Sequence, residues 1–273
     1  MDEVEVRTVK TIVGVGEVGV RAVDALSKRG FDSEHWRGSF EFITIDESGS
    51  PRRLDSNTPI DSLGSVFADS IAVILLVGAE DTIQELALDT AKAAKDKADY
   101  VVAFVVSYTA TSGIIDIVDL VVHVQEQHFR KPQSELGVAD VLIAGARAIC
   151  SMSAGKSVVC VDLADLKKVF SNREPATIGV ACATGQNRVE KAASKAVASL
   201  GANLRDSRSV YVSICCSSVT LLELHEVFSK IQDAANEDAE VMWAWMHGTP
   251  DSSLEVTLLA SDGHTETGIE GRC

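Results

Sequence analysis

Along the first half of the chain, short unbroken apolar runs alternate with amphipathic ones. Thr8–Val13, Phe40–Ile45, Ile71–Val77, Tyr100–Val106 and Leu120–Val124 are dense in Val, Ile and Leu. Strands of this kind are covered on both faces, the habit of parallel sheets. Between them the spacing predicts helices over Val20–Arg29, Ile60–Ala68, Thr82–Ala98 and Gly113–Asp116, and Ser50–Pro59 reads as a loop. Strand and helix in regular alternation predict a doubly wound, Rossmann-like α/β layer.

The pattern then changes. Val138–Ile149 places apolar residues at helical spacing over about three turns. A shorter helix is predicted over Cys160–Phe170. Then come a strand (Thr177–Ala183), a helix (Asn187–Leu200), a strand (Ser209–Cys215), a helix (Thr220–Asn236) and two strands, Glu240–His247 and Leu254–Ser261. The last two flank "HGTPDSS" and read as an antiparallel hairpin. The expected organisation is a nucleotide-binding-type domain over 1–135, a central helix over 136–152 and an α+β domain with a mixed sheet over 153–265. Ile269-Glu270-Gly271-Arg272 reads as a protease-cleavage linker, so residues 268–273 are set aside.

Composition narrows the function classes. The 273 residues are 46% hydrophobic but only 5% aromatic, so the core is aliphatic. A formal charge of −15 disfavours nucleic acid and anionic lipid surfaces as direct partners. The six cysteines contain no C-x-x-C pair and lie largely in apolar surroundings, as reduced thiols of a cytoplasmic protein do. No run is long enough to span a bilayer and no signal peptide opens the chain. Membrane contact is expected only through a partner.

The candidate chemistry begins at "KTIVGVGEVGVRAV". Gly14, Gly16 and Gly19 form G-x-G-x-x-G between a strand and a helix, where a phosphate-binding turn sits. Asp46 ends the second strand and is placed to hold ribose hydroxyls, so an NAD-dependent oxidoreductase is one reading. The C-terminal half offers no cluster suited to hydride transfer. Gly155-Lys156-Ser157 lacks the P-loop spacing and follows a helix rather than a strand.

Two later stretches are more specific: "VCVDLADLKKVFSN" at 159–172 and "IGVACATGQNRVEKAASKA" at 178–196, followed by "VTLLELHEV" at 219–227. In wording and order they resemble the tubulin/FtsZ superfamily, and FtsZ more than tubulin. The resemblance spans residues 8–262. It implies a GTP- or GDP-binding cytoskeletal fold, with Mg2+ accompanying GTP. It implies head-to-tail assembly with itself or another FtsZ-like protein, and work in cell division or membrane remodelling.

The same resemblance marks departures. The family's first loop is close to G-V-G-G-x-G-N; here Glu17 and Val18 stand between the glycines. Its signature G-G-G-T-G-[ST]-G is replaced by Gly78-Ala79-Glu80-Asp81-Thr82, with Glu80 and Asp81 expected to satisfy the helix start that follows. Gln125-Glu126 stand where the family has Asn-Asp, and Asp140 matches the aspartate that accepts from guanine. Asp162 and Asp165 match the acidic loop that acts on the nucleotide of the next subunit; both also suit helix capping. Whether the chain retains GTPase activity or is a pseudo-GTPase that assembles or modifies filaments stays open. The second is the favoured expectation.

Overall fold

The computed structural model describes residues 9–29, 40–56, 58–68, 70–106, 113–125, 136–151, 161–170, 175–200, 204–246 and 253–261. Glu126, Cys160, Gly155-Lys156-Ser157 and residues 268–273 lie outside them.

One ten-stranded sheet organises the described residues, in the order β3-β2-β1-β4-β5-β6-β7-β10-β8-β9. In chain order the strands are β1 (Val9–Val15), β2 (Phe40–Ile45), β3 (Pro51–Arg53), β4 (Ser70–Val77) and β5 (Tyr100–Val105). They continue with β6 (Leu120–His123), β7 (Ala176–Ala183), β8 (Ser209–Cys216), β9 (Glu240–Met246) and β10 (Leu254–Ser261). β2, β1, β4, β5, β6 and β7 run parallel. β10 is antiparallel to both β7 and β8, and β9 is parallel to β8.

The helices are α1 (Gly16–Arg29), α2 (Leu63–Phe67), α3 (Gln84–Lys95), the central α4 (Val138–Ser151), α5 (Leu163–Val169), α6 (Arg188–Ser199) and α7 (Leu221–Ala234). β4 shows why the apolar runs carry no alternation. Ala72, Ile74 and Leu76 face a cluster shared with α1 and α4, while Val73, Leu75 and Val77 face the cluster beneath α3. The first cluster runs on under α4 and α5 to Tyr211, Cys215 and Leu259, so it ties the two halves together. A third lies between α6, α7 and the C-terminal strands.

Three expectations are corrected. β9 and β10 are not a hairpin, since β10 lies between β7 and β8 and β9 is left at the edge. The reason is burial: β10 is covered on both faces, whereas β9 is only partly buried along most of its length. Pro51–Arg53, expected within a loop, is a three-residue edge strand on β2. Of the helix expected over Gly113–Asp116, Gly113 and Ile114 are helical and residues 115–117 form a turn, with Ile117 N–H donating to Ile114 O at 2.9 Å.

Cys150, Cys215 and Cys216 are buried and Cys182 is partly buried. Burial pushes the Cys215 thiol up to about 12.

Candidate functional site

The glycine turn is built by its backbone. Gly16 has φ +76°, a conformation that side chains resist, and it lets the chain pass from β1 directly into α1. Gly19 packs so closely on β4 that a Cβ there would stand 2.1 Å from the Leu76 carbonyl oxygen. Gly14 is equally tight against Gly19. The three glycines therefore fulfil the strand–turn–helix geometry through protein contacts alone. Of the two intruding side chains, Val18 packs into the core, whereas Glu17 points outward beside Arg21 at 3.7 Å.

The N-terminus of α1 already faces a carboxylate. Glu80 occupies the N-cap position of the one-turn 3-10 helix Asp81–Ile83, yet its side chain makes no capping bond there. It reaches instead across the glycine turn, and its Oε1 accepts the Glu17 N–H at 3.2 Å. Its Oε2 is buried without a hydrogen-bond partner, close over Gly16 and Gly78: a Cβ on Gly78 would meet that oxygen at 2.1 Å. Glu80 thus caps a different helix from the one expected. Asp81 does lie in the first turn of its own short helix and accepts from Gln84 Nε2 at 3.3 Å.

Beside this turn opens a cleft of about 460 Å³ lined by Gly16, Glu17, Val20, Arg21, Asp46, Glu47 and Ser48. Asp46 is exposed, and hydrogen bonds from the Ser48 hydroxyl and amide to its Oδ1 hold its carboxyl below the usual carboxylate range. Gly14, Gly16, Gly19, Gly78 and Asp46 therefore gather at the C-terminal ends of the parallel strands. Asp140 does not line the cleft; its Oδ2 accepts from Gly137 N–H at 2.8 Å, in the first turn of α4. Gln125 follows the end of β6 and is partly buried.

Asp162 and Asp165 lie at the opposite pole. They form a reciprocal capping box at the start of α5, with Asp165 N–H donating to Asp162 Oδ1 at 2.8 Å and Asp162 N–H donating to Asp165 Oδ2 at 3.3 Å. Lys167 Nζ of α5 donates to the Asp99 carbonyl at 2.7 Å and sits 5.0 Å from the Tyr100 ring centroid, at the N-terminal end of β5. The glycine turn and the acidic pair are thus separated by roughly a strand length, about 20 Å. No single copy brings them together.

The C-terminal segment 175–262 matches the FtsZ family C-terminal domain. The whole fold is shared with solved structures of low identity. An FtsZ mutant of M. jannaschii superposes with TM-score 0.76 at 16% identity, covering 93% of this chain and 91% of that one. CetZ2 of Haloferax volcanii, solved as a GTPγS-bound protofilament, gives 0.64 at 16% identity, covering 92% of each chain. CetZ1 of the same organism, a GDP-bound monomer, gives 0.61 at 13%, covering 94% of each. Its fold is that of the FtsZ and CetZ structures, and its C-terminal segment resembles the FtsZ C-terminal domain.

Two features of this FtsZ-like chain escape a reading along the sequence. Arg188 Nε donates to Glu223 Oε1 at 3.0 Å and its Nη2 to the Ser218 carbonyl at 2.7 Å, joining α6 to the start of α7. Arg147 of the central helix grips Glu255 of β10 with both carboxylate oxygens at 2.6 Å. Both pairs span long sequence separations, so local pattern carries no sign of them. Glu47 and Ser48 of the cleft are different: "DESG" after a strand is a legible turn in which Asp46 bonds its own backbone two residues on.

Proposed function

We propose that this chain is an FtsZ-like assembly protein whose nucleotide pocket has lost its grip on a triphosphate. The observation that carries this reading is the Glu80 carboxylate seated on the Glu17 N–H. In a glycine turn that opens a helix, that N–H and the helix dipole are what a phosphate would use. Here an anion tethered to the same chain occupies the position, and Glu17, Asp46 and Glu47 add negative charge to the cleft. These residues do not fit a polyphosphate.

Work is then done through contact. The glycine turn and the Asp162–Asp165 box stand at opposite ends of one sheet, an arrangement that supports head-to-tail stacking with itself or another FtsZ-like protein. Such heterologous contacts build open filaments or end them. On this reading residues 1–135 present one face, 153–265 the other, and the central helix 136–152 joins them. Division or membrane remodelling is the proposed setting, in the cytoplasm. No helix among the described residues is long and apolar enough to cross a membrane, which suits membrane contact through a partner.

A second reading keeps GTP or GDP, with Mg2+, in a modified pocket. The three glycines retain a phosphate-turn geometry, and the cleft beside Asp46 is open. An NAD reading meets the same Glu80 carboxylate at the pyrophosphate position. Calorimetric titration of the purified chain with GTP, GDP and NAD separates the three. The proposal expects no micromolar binding, and pelleting that does not depend on GTP. Micromolar GTP affinity in the presence of Mg2+ would establish the second reading instead.

A further inference from the structure

Val15 of β1 pairs with Ile45 of β2, so Gly16 and Asp46 leave their strands side by side. The cleft they line, about 460 Å³, falls within the roughly 300–1,000 Å³ of small-molecule sites. One half of a nucleotide seat is kept there. In a doubly wound sheet the acid after the second strand takes ribose hydroxyls, and the first helix N-terminus takes the phosphates attached to that ribose. Asp46 stands in the first place, while Glu80 holds the second by accepting the Glu17 N–H.

The lining offers more than one acceptor. Asp46 Oδ1 accepts from both the amide and the hydroxyl of Ser48, which fixes the carboxylate and leaves Oδ2 as its unused oxygen among the described residues. Val20 brings an aliphatic surface next to Arg21. The Arg21 guanidinium stands 3.7 Å from Glu17 Oε1, too far for a hydrogen bond, and its side chain is 63% exposed. Such a planar cation is free to lie flat on an aromatic ring. Glu17 and Glu47 add two carboxylates to the lining. They repel an anionic ligand and exert no such force on an uncharged one.

We propose that the cleft binds a nucleoside that carries no phosphate, its 2′- and 3′-hydroxyls donating to Asp46 Oδ2 and its base lying against Val20 and the Arg21 guanidinium. The proposal rests on the reading that Glu80 bars a polyphosphate, and it names what the closed seat still admits. A free sugar would satisfy Asp46 but leave Val20 and Arg21 uncovered. A nucleotide would bring its 5′-phosphate to the N-terminus of α1, where the Glu80 carboxylate already sits. A nucleoside with a neutral 5′-hydroxyl meets neither objection.

The test is calorimetric titration of the intact chain with adenosine, guanosine, cytidine and uridine, beside ribose and GTP. The 2′,3′-dideoxy form and the 5′-monophosphate of whichever nucleoside binds complete the set. At least one nucleoside should bind with a Kd of about 0.1 mM or tighter. Its dideoxy form and its monophosphate should each bind weaker by about tenfold or more. Asp46→Asn keeps an oxygen for Ser48 and puts an amide in place of Oδ2; it should weaken the nucleoside by about tenfold and leave urea denaturation unchanged. Glu80→Ala should narrow the gap between nucleoside and monophosphate. If no nucleoside binds and GTP does not bind either, this inference falls and the reading of Glu80 stands. If GTP binds the natural chain as tightly as the nucleoside, both fall. The inference also falls if ribose binds as well as the nucleoside, or if the dideoxy form or Asp46→Asn shows no loss.

Discussion

Replacing Glu80 by alanine should restore anion binding at the glycine turn while leaving the fold as stable as before, or more so. The carboxylate accepts the Glu17 N–H at 3.2 Å, so a phosphate oxygen using that N–H would touch it. Even if the side chain withdrew to about 4 Å, two negative charges at an effective dielectric of about 20 repel by about 4 kcal/mol. That is about three decades of affinity. This repulsion is that of Glu80 alone, because the Asp81 side chain bonds to Gln84. Removal forfeits one charge-assisted bond and a favourable dipole contact, about 1–2 kcal/mol. It also relieves Oε2, which is buried without a partner, a cost of about 1–3 kcal/mol. The two nearly cancel. The assay is calorimetry with GTP, GDP and pyrophosphate on the natural chain and on Glu80→Ala, beside urea denaturation of both. If the two chains bind pyrophosphate alike, or if the variant loses more than about 2 kcal/mol of stability, Glu80 is not the block described here.

Breaking the largely buried Arg147–Glu255 pair, whose side chains are 14% and 12% exposed, should be costly. Glu255→Gln is expected to lose about 3 kcal/mol in urea denaturation, and the double change Arg147→Met, Glu255→Leu to recover most of it. Gly19→Ala would put a methyl group 2.1 Å from the Leu76 carbonyl oxygen, so a loss of about 2 kcal/mol or more and a lowered Tm should follow. The hydrogen bond from Arg188, with the Thr220 N–H, holds the Glu223 carboxyl below the usual carboxylate range. Its folded-state value is depressed, so its contribution is full above the unfolded value near ~4.3 and is lost as pH falls through the folded one. Glu223→Gln should therefore cost about 1 kcal/mol at neutral pH and progressively less as the pH falls through the folded-state value of Glu223, which urea denaturation followed from pH 7 into acid would show.

Much of the site was legible, and much was not, for a consistent reason. Gly14, Gly16 and Gly19 announce themselves because a tight turn tolerates no Cβ, and that demand is local. The Asp162–Asp165 box is legible for the same reason, since its bonds close within three residues. Glu80 was misassigned to its own helix start. Its partner, Glu17, lies 63 positions away and becomes a neighbour only when β1 and β4 pair.

The sequence by itself determined the elements: doubly buried parallel strands, a central amphipathic helix and a mixed C-terminal half. These follow from periodicity and short-range turn and cap chemistry, which any window of ten residues contains. Only the tertiary structure decided which strands are neighbours, that β10 is enclosed and β9 is an edge, and that the glycine turn and the acidic pair stand at opposite ends of one sheet. Pairing order and the seat of a side chain depend on which surfaces bury each other best. That competition is settled among all the elements at once.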